Sequence, residues 1–407
     1  MPAPAAYSEG NLDSALPEQD PFITVPYQGV LYATDRAVSE SASEDAGATK
    51  RYLDERGYVL RLGVAQVKVK DGKATWEEAR RVSLLKERGE KYPISVSKVQ
   101  EYGVLSSTVT PLLDDSLAPP DAGASQQRFA AAIDQQLSVS RASDVYVYIH
   151  GYKVNFDNPV LVATELWHFL GYSGAFVAYS WPSTPKTTAY IRDIDTAAGF
   201  ARNFRLFLEF LAQHTTAEKI HIVGYSAGTR LVARAFEQMA MASQHLSDEE
   251  IRQRYRIGNL ILVGSDVDRA VFGEYVADGL LRIPQHTSVY MSGQDKALGM
   301  SRFLTNRPRL GQHWDPARIS SDARAFLASQ PRLSLINVSA AEGADTGNGH
   351  SYFRSSPWVS SDILVQLGYQ LLPGARGLAP QDDSPIWHFP DDYVERLRVA
   401  LEANSQR

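Results

Sequence analysis

One short stretch constrains the fold of this chain more than any other. Residues 220–223 form an apolar run that leads directly into the pattern G-x-S-x-G at residues 224–228. After it, Leu231, Ala235 and Met239 recur at the spacing of one helix face. The stretch therefore predicts a strand, a sharp turn and a helix, with Ser226 at the centre of the turn. Such a turn strains its central residue, so small residues are needed two positions before and after it.

The predicted turn gives Ser226 the position of an attacking group. Its hydroxyl would stand at the end of a strand, and the N-terminal amides of the following helix would point at the same place. The pattern alone is weak, because a serine between glycines is often only a turn residue. A nucleophilic serine therefore requires a base, an acid and oxyanion donors elsewhere in the chain.

Short apolar strands alternate with helical patterns along most of the sequence. This alternation predicts an α/β fold, with a mostly parallel central sheet and helices on both faces. Ligands of such sheets bind at the carboxyl ends of the strands. Residues 75–102 have a charged, irregular pattern. Strands are predicted at residues 29–34, 58–70, 144–149, 174–182, 220–223, 260–264, 287–292 and 333–338, and helices at 126–137, 160–170, 196–212, after 228, at 271–281 and within 316–328.

The chain of 407 residues is long for one domain, but a large α/β fold accommodates it. Residues 1–28 are rich in proline, alanine, serine and acidic residues, which predicts a flexible tail. Residues 29–407 are predicted to form a single domain. Residues 182–194 and 302–329 emerge at the carboxyl end of the sheet, so they are either lid segments or ordinary surface loops. Neither is apolar enough to predict a lid that opens at an oil surface.

Composition excludes several classes of protein. The absence of cysteine excludes disulfides, thiolate metal sites and a cysteine nucleophile. The net charge is −6, with 41 basic and 47 acidic residues interspersed, so no nucleic-acid partner is expected. The sequence contains no run of about 18 apolar residues, so no membrane span is predicted. No metal-binding or nucleotide-binding motif is present, so neither a metal nor a cofactor is expected.

The N-terminus lacks the basic patch and apolar core of a signal peptide. This favours a cytoplasmic protein, or a periplasmic or cell-envelope protein if Met1 replaces a removed signal or lipid anchor. The sequence predicts no oligomeric state.

Among the histidines that follow the turn, His350 is the best candidate base. It lies in Gly-Asn-Gly-His, on a loop after the predicted strand at residues 333–338. A glycine-flanked loop allows an imidazole to reach over the sheet edge to Ser226.

The base needs an acid that fixes its tautomer and stabilises the imidazolium. Asp295 follows the predicted strand at residues 287–292, which gives the chain order Ser, Asp, His. Asp266 follows the preceding strand and is the alternative. The carboxylate that does not serve as the acid would cap a helix or hydrogen-bond a loop.

The transition state of acyl transfer carries an oxyanion, which needs fixed N–H donors. The Ala227 amide is one candidate, because it opens the helix after Ser226. The Tyr152 amide is the second, since Gly151 permits close backbone approach. Trp181 and Phe353 are candidates for the substrate pocket, although aromatic residues beside buried strands more often belong to the core.

Several short motifs accompany these candidates: residues 32–36 (YATDR), 55–57 (ERG), 150–152 (HGY), 180–182 (SWP), 295–298 (DKAL) and 350–353 (HSYF). Taken together, these stretches resemble the α/β-hydrolase superfamily, and more narrowly a bacterial esterase/lipase-like branch known as a domain of unknown function. The resemblance spans about residues 30–355. That branch often has His-Ser-Met-Gly at the turn, where this chain has Tyr-Ser-Ala-Gly.

The resemblance implies a serine hydrolase with Ser226, His350 and Asp295 as its triad. The expected reaction is cleavage of a small-molecule carboxylic ester through an acyl-enzyme. An acyltransferase, amidase or lipase would use the same triad. A non-catalytic binding protein on this fold is a third interpretation, and such proteins usually lose the nucleophile or the base.

Overall fold

The structure, a computed structural model, describes residues 1–9, 12, 16–40, 51–112, 121–184, 193, 196–197, 199–315, 319–381 and 384–405. The strands are β1 (Val30–Val38), β2 (Tyr52–Val69), β3 (Ile94–Val104), β4 (Asp144–Ile149), β5 (Ala175–Ser180), β6 (Lys219–Tyr225), β7 (Ile257–Val263), β8 (His286–Met291), β9 (Leu333–Asn337), β10 (Ala379–Pro380) and β11 (Ile386–His388). The helices are α1 (Ala5–Ser8), α2 (Pro21–Thr24), α3 (Trp76–Ser83), α4 (Ala122–Val139), α5 (Asp157–Phe169), α6 (Ala201–His214), α7 (Gly228–Ala242), α8 (Asp248–Tyr255), α9 (Arg269–Ala277), α10 (Lys296–Thr305), α11 (Ser321–Ala328), α12 (Tyr352–Ser355), α13 (Pro357–Tyr369) and α14 (Tyr393–Ser405).

The strands form one 11-stranded sheet in the order β10-β11-β9-β8-β7-β6-β4-β5-β1-β2-β3. From β11 to β1 all neighbouring strands are parallel. Antiparallel pairing is confined to the edges, where β2 and β3 follow β1 and β10 follows β11. The predicted mostly parallel α/β sheet is confirmed.

The central strands are buried on both faces. Every residue of β4, β5, β7 and β8 is buried. Because successive side chains of a strand point to opposite faces, this burial requires helices on both sides of the sheet. A sheet of this kind leaves mainly its strand ends open for a binding site.

The register brings the carboxyl ends of the central strands to one edge. Ile149 of β4 lies opposite Gly224 of β6, and Tyr225 lies opposite Val263 of β7. The ends of β8 and β9 continue the same edge, with Met291 opposite Asn337. The loops that follow these strands carry the residues predicted to be functional, so the topology gathers them at one place.

The N-terminal stretch differs from the predicted flexible tail. Ala6 and Tyr7 of α1 are buried. The Ala6 amide donates to Ser361 Oγ at 2.9 Å, and the Tyr7 hydroxyl donates to the Phe169 carbonyl at 2.5 Å. The small alanines that suggested a solvated tail allow close contact with α13 and α14 instead.

Residues 75–102 were predicted to be irregular, but they contain α3 and most of β3. The Thr75 side chain accepts the Glu78 amide at 3.2 Å and caps α3. β3 pairs with β2 at the sheet edge, and most of its residues are partly exposed. Its many polar residues therefore interrupt the apolar pattern from which a strand would be predicted.

The segment predicted as the final strand is also not the last one. It corresponds to β9, and β11 pairs beyond it in parallel. β10 and β11 contain only two and three residues, which is too short for a periodic signal. Among the residues that the structure describes, no helix is long and apolar enough to cross a membrane.

Candidate active site

Ser226 occupies the sharp turn between β6 and α7. Its φ is +52°, a left-handed conformation that most side chains avoid. The turn is packed tightly, because a Cβ added at Gly228 would lie 2.1 Å from the His150 carbonyl oxygen. Glycine at position 228 therefore allows the loop after β4 to pass directly beside the turn.

Three predicted side chains form a hydrogen-bonded chain at this edge. His350 Nε2 lies 2.8 Å from Ser226 Oγ, and His350 Nδ1 lies 2.6 Å from Asp295 Oδ2. All three residues are buried. The serine hydroxyl can donate to Nε2 while Nδ1–H donates to the carboxylate, which is the arrangement needed to remove the hydroxyl proton.

The His350 loop is anchored on both sides. The His350 amide donates to Asn348 Oδ1 at 3.2 Å, and the Asn348 carbonyl accepts from the Lys296 amide at 3.0 Å. The Tyr225 ring packs on the imidazole at 5.0 Å between centroids. These contacts hold the imidazole over the turn.

Asp295 divides its two carboxylate oxygens between two partners. Oδ2 contacts His350, while Oδ1 accepts the Leu298 amide at 2.9 Å and so caps α10. The charge also lies at the positive end of the helix dipole. The carboxylate of Asp295 is therefore fixed in orientation by the helix that it caps.

Asp266, the alternative acid, also lines the cavity but has other partners. Its Oδ2 accepts from Arg230 Nε at 2.9 Å, and its Oδ1 accepts from Ser301 Oγ at 2.5 Å. Arg309 Nε lies 3.7 Å from Oδ1. The His350 Nδ1 atom contacts Asp295, so the geometry favours Asp295 as the acid.

The loop after β4 approaches Ser226 closely, as expected from Gly151. A Cβ added at Gly151 would lie 2.9 Å from Ser226 Cβ. Ala227, the N-cap of α7, follows Ser226 directly, and Tyr152 lines the cavity in front of it. The two backbone segments predicted to supply oxyanion donors therefore flank the serine.

His150 has a structural environment. Its Nδ1 and Nε2 lie 2.6 Å and 3.1 Å from the carbonyl oxygens of Gly151 and Trp181. Burial lowers the pKa of His150 to about 3, and the nearby Arg36 charge acts in the same direction. The ring is therefore neutral at pH 7, and its single N–H donates a hydrogen bond to one of these two carbonyl oxygens.

The structure places the two predicted pocket residues in the core. Trp181 is fully buried, stacks on His150 at 5.1 Å, and donates its indole N–H to the His150 carbonyl at 2.7 Å. Phe353 is buried against Tyr148 and Tyr225. Neither lines the cavity at Ser226. They instead support the backbone of the site, because large rings beside buried strands fill space between helix and sheet.

A cavity of about 80 Å³ opens in front of the serine. One wall of it is α10, a helix that the sequence did not predict. The signal was Asp295 itself, an N-cap residue followed by helix formers, but Gly299 interrupts the apolar spacing. The lining residues are Tyr152, Ser226, Asp266, Ala297, Leu298, Met300, Ser301, Leu304 and His350.

The two predicted lid segments are described only in part. Within residues 182–194, the structure describes 182–184 and 193, and the remainder lies outside the described residues. Residues 302–329 contain the end of α10 and all of α11, with 316–318 outside the description. Leu304, in the second segment, contacts the cavity.

In the described part of the chain, no group of three or more histidine or carboxylate side chains is arranged to hold a metal ion.

Comparison with known proteins identifies the family. A search of curated proteins finds no match to this sequence. Among solved structures, a lipase-esterase related protein from Clostridium acetobutylicum ATCC 824 matches with 11% identity and a TM-score of 0.23, over 65% of this chain and 95% of that one, which is too distant to bear on function. Residues 125–367 match the family model described as an alpha/beta hydrolase of unknown function (DUF900). The match covers more than half of the chain and every side chain of the site described above, so this protein belongs to that α/β-hydrolase family.

Proposed function

We propose that this protein is a serine hydrolase that cleaves carboxylic esters through an acyl-enzyme intermediate. One observation carries the proposal: Ser226 Oγ lies 2.8 Å from His350 Nε2, whose opposite ring nitrogen lies 2.6 Å from Asp295. Membership of an α/β-hydrolase family supports it. The family description names no substrate, so the ester class is inferred from the chemistry of the triad.

In the proposed first half-reaction, Ser226 Oγ attacks the ester carbonyl carbon while its proton passes to His350 Nε2. Asp295 stabilises the imidazolium. The carbonyl electrons move onto oxygen, and the Ala227 and Tyr152 amides would donate hydrogen bonds to that oxyanion. When the tetrahedral species collapses, the C–O bond to the alcohol breaks, and the leaving oxygen takes the proton from His350.

The second half-reaction repeats the same roles with water. His350 removes a proton from water, which attacks the acyl carbon, and the acid product leaves as Ser226 recovers its proton. Acyl transfer would replace this water by another alcohol, and amide cleavage would change the leaving group. Product analysis with water alone and with an added alcohol separates hydrolysis from transfer.

The test of the proposal is Ser226→Ala, with Ser351→Ala as a matched control. Ser351 follows His350 directly but is exposed. We expect Ser226→Ala to lose turnover of a soluble ester by at least about a thousandfold and to lose labelling by a fluorophosphonate probe, with an unchanged fold. Ser351→Ala should label like the unmodified protein. Labelling retained in Ser226→Ala, or no labelling of the unmodified protein, would contradict the proposed mechanism.

A further inference from the structure

Helix α10 presents an apolar surface to solvent at the mouth of the active-site cavity. Met300, Phe303 and Leu304 are 59%, 82% and 53% exposed. They follow the spacing i, i+3, i+4 and therefore share one helix face. Leu298 and Ser301, on the opposite face, are buried. The helix thus has an inner face that closes the site and an outer face of large apolar side chains.

The outer face is continuous with the cavity. Met300 and Leu304 line the space in front of Ser226 while still contacting solvent. The cavity of about 80 Å³ is small beside the roughly 300 Å³ or more of a typical small-molecule pocket. The cavity in front of Ser226 therefore opens onto the surface that carries the exposed side chains of α10.

Charge distinguishes this surface from the rest of the molecule. The chain carries a net charge of −6, yet residues 296–314 contain four basic residues and no aspartate or glutamate. Lys296 and Arg302 are exposed, and the Arg307 side chain is 66% exposed while lying 3.5 Å from Asp268. Arg309, the fourth, is buried near Asp266. Lys296 shares the face of Met300, and Arg307 follows the end of the helix, so positive charge borders the apolar face at both ends, whereas Arg302 lies on the side of Leu298.

We propose that α10 docks on an anionic phospholipid surface. Met300, Phe303 and Leu304 would enter the boundary between headgroups and acyl chains, and Lys296 and Arg307 would lie among the lipid phosphates. An amphipathic helix with a basic border binds a membrane surface in this way without crossing it. The docking does not depend on the proposed ester chemistry. If both hold, docking brings lipid esters to Ser226.

Flotation with lipid vesicles tests the docking. The full chain carrying Ser226→Ala is used, so that no lipid is consumed. We expect it to float with vesicles of phosphatidylcholine and phosphatidylglycerol, less with phosphatidylcholine alone, and less with the mixed vesicles in high salt. Phe303→Ser should weaken binding by about tenfold or more. Lys296→Ser should weaken binding to the anionic vesicles by about fivefold.

Ile23→Ser is the matched control. Ile23 is 77% exposed and follows Phe22, whose ring packs on Tyr172 at the amino end of β5, opposite the site. This variant should float normally. Phe303 does not line the cavity. In the chain with Ser226 intact, Phe303→Ser should therefore leave turnover of a short, fully dissolved ester unchanged, which also shows that the variant is folded.

The outcomes separate the two proposals. Flotation without ester turnover would support the docking and contradict the proposed function. Ester turnover without flotation on anionic vesicles would support the proposed function and contradict the docking. Equal flotation of the Phe303→Ser and Ile23→Ser variants would overturn the docking. The docking would also be overturned if the protein bound no vesicles and Phe303→Ser raised the KM for a dissolved long-chain ester. The apolar face would then be an acyl-chain subsite.

Discussion

Ser226 adopts a backbone conformation that costs a residue with a side chain about 1–2 kcal/mol, since its φ is +52°. The surrounding structure offsets this cost. The Ser226 amide donates to the Val263 carbonyl at 2.9 Å, and Thr229 Oγ1 donates to the Ser226 carbonyl at 2.6 Å. Strain of this kind is held at functional sites because it directs a side chain that an unstrained turn would turn away.

Two buried carboxylates flank the proposed nucleophile, and they are expected to differ in what they do. Asp295→Asn should lower kcat by about a thousandfold to ten-thousandfold, because an amide cannot fix the His350 tautomer or stabilise the imidazolium. Asp266→Asn should reduce kcat by less than about tenfold. It should reduce the free energy of unfolding by about 3 kcal/mol, because Arg309 would lie buried without its counter-charge.

Steady-state kinetics and urea unfolding of both variants check this difference. If Asp266→Asn lost most turnover while Asp295→Asn remained active, the acid would be the carboxylate after β7 rather than the one after β8. The two variants are equally conservative, so each serves as the other's control.

Residue order was sufficient to predict Ser226, Asp295 and His350 as candidates, since each follows a recognisable strand. Order could not show that Trp181 and Phe353 face inward. The orientation of a ring at a strand end or in a loop depends on the residues that pack around it, and both rings fill space behind the site. Those residues are distant in sequence, so the local sequence does not predict the orientation.

At the scale of elements, α10 joins three parts of the site. Asp295 caps it, Lys296 donates its amide to the His350 loop, and Leu298 and Ser301 face the cavity. A displacement of the loop relative to this helix would separate the His350 imidazole from Asp295. The position of the loop therefore depends on close contact between its backbone and the turn before α10.

Two glycines in the His350 loop allow that dependence to be tested. Both have positive φ, +68° at Gly347 and +65° at Gly349. A Cβ at Gly349 would lie 2.5 Å from the Gln294 carbonyl oxygen, whereas nothing lies within 4 Å of one at Gly347. We expect Gly349→Ala to lower kcat/KM by about a hundredfold, since a displacement of about 1 Å has that effect.

Gly347→Ala is the control, because it introduces the same backbone strain without the collision. It should keep turnover within a few fold of the unmodified chain. Equal losses in the two variants, measured with one soluble ester, would mean that strain in the loop matters and contact with Gln294 does not.

At the scale of the whole molecule, a buried carboxyl group ties the parallel sheet to a covering helix. Asp35 of β1 accepts hydrogen bonds from the Tyr179 hydroxyl of β5 at 2.5 Å and from Asn203 of α6 at 2.8 Å. Burial raises the pKa of Asp35 to about 7, although both hydrogen bonds and Arg56 oppose the rise. The folded protein therefore binds a proton that the unfolded chain has lost above about pH 4.

This difference makes the fold less stable as the pH rises. Between about pH 4 and about pH 7 the folded state holds more protons than the unfolded state, so the free energy of unfolding falls, by at most about 4 kcal/mol. Asp35→Asn should remove this part of the pH dependence. Urea unfolding at pH 5 and pH 7.5 measures the free energy of unfolding of the unmodified chain and of Asp35→Asn. An equal decrease in the two proteins between these pH values would show that the pH dependence arises from other groups.

By itself the sequence determined the class of fold and the candidate triad, because apolar periodicity, glycine placement and residue order are local properties that survive without knowledge of contacts. It also excluded disulfides, thiolate metal sites and a cysteine nucleophile, since the chain contains no cysteine. Only the tertiary structure decided that the N-terminal stretch packs on the body, that α10 walls the cavity, and that Asp295 rather than Asp266 meets His350. Each of these depends on which distant segments come together, and that is decided by burial and register across the whole sheet.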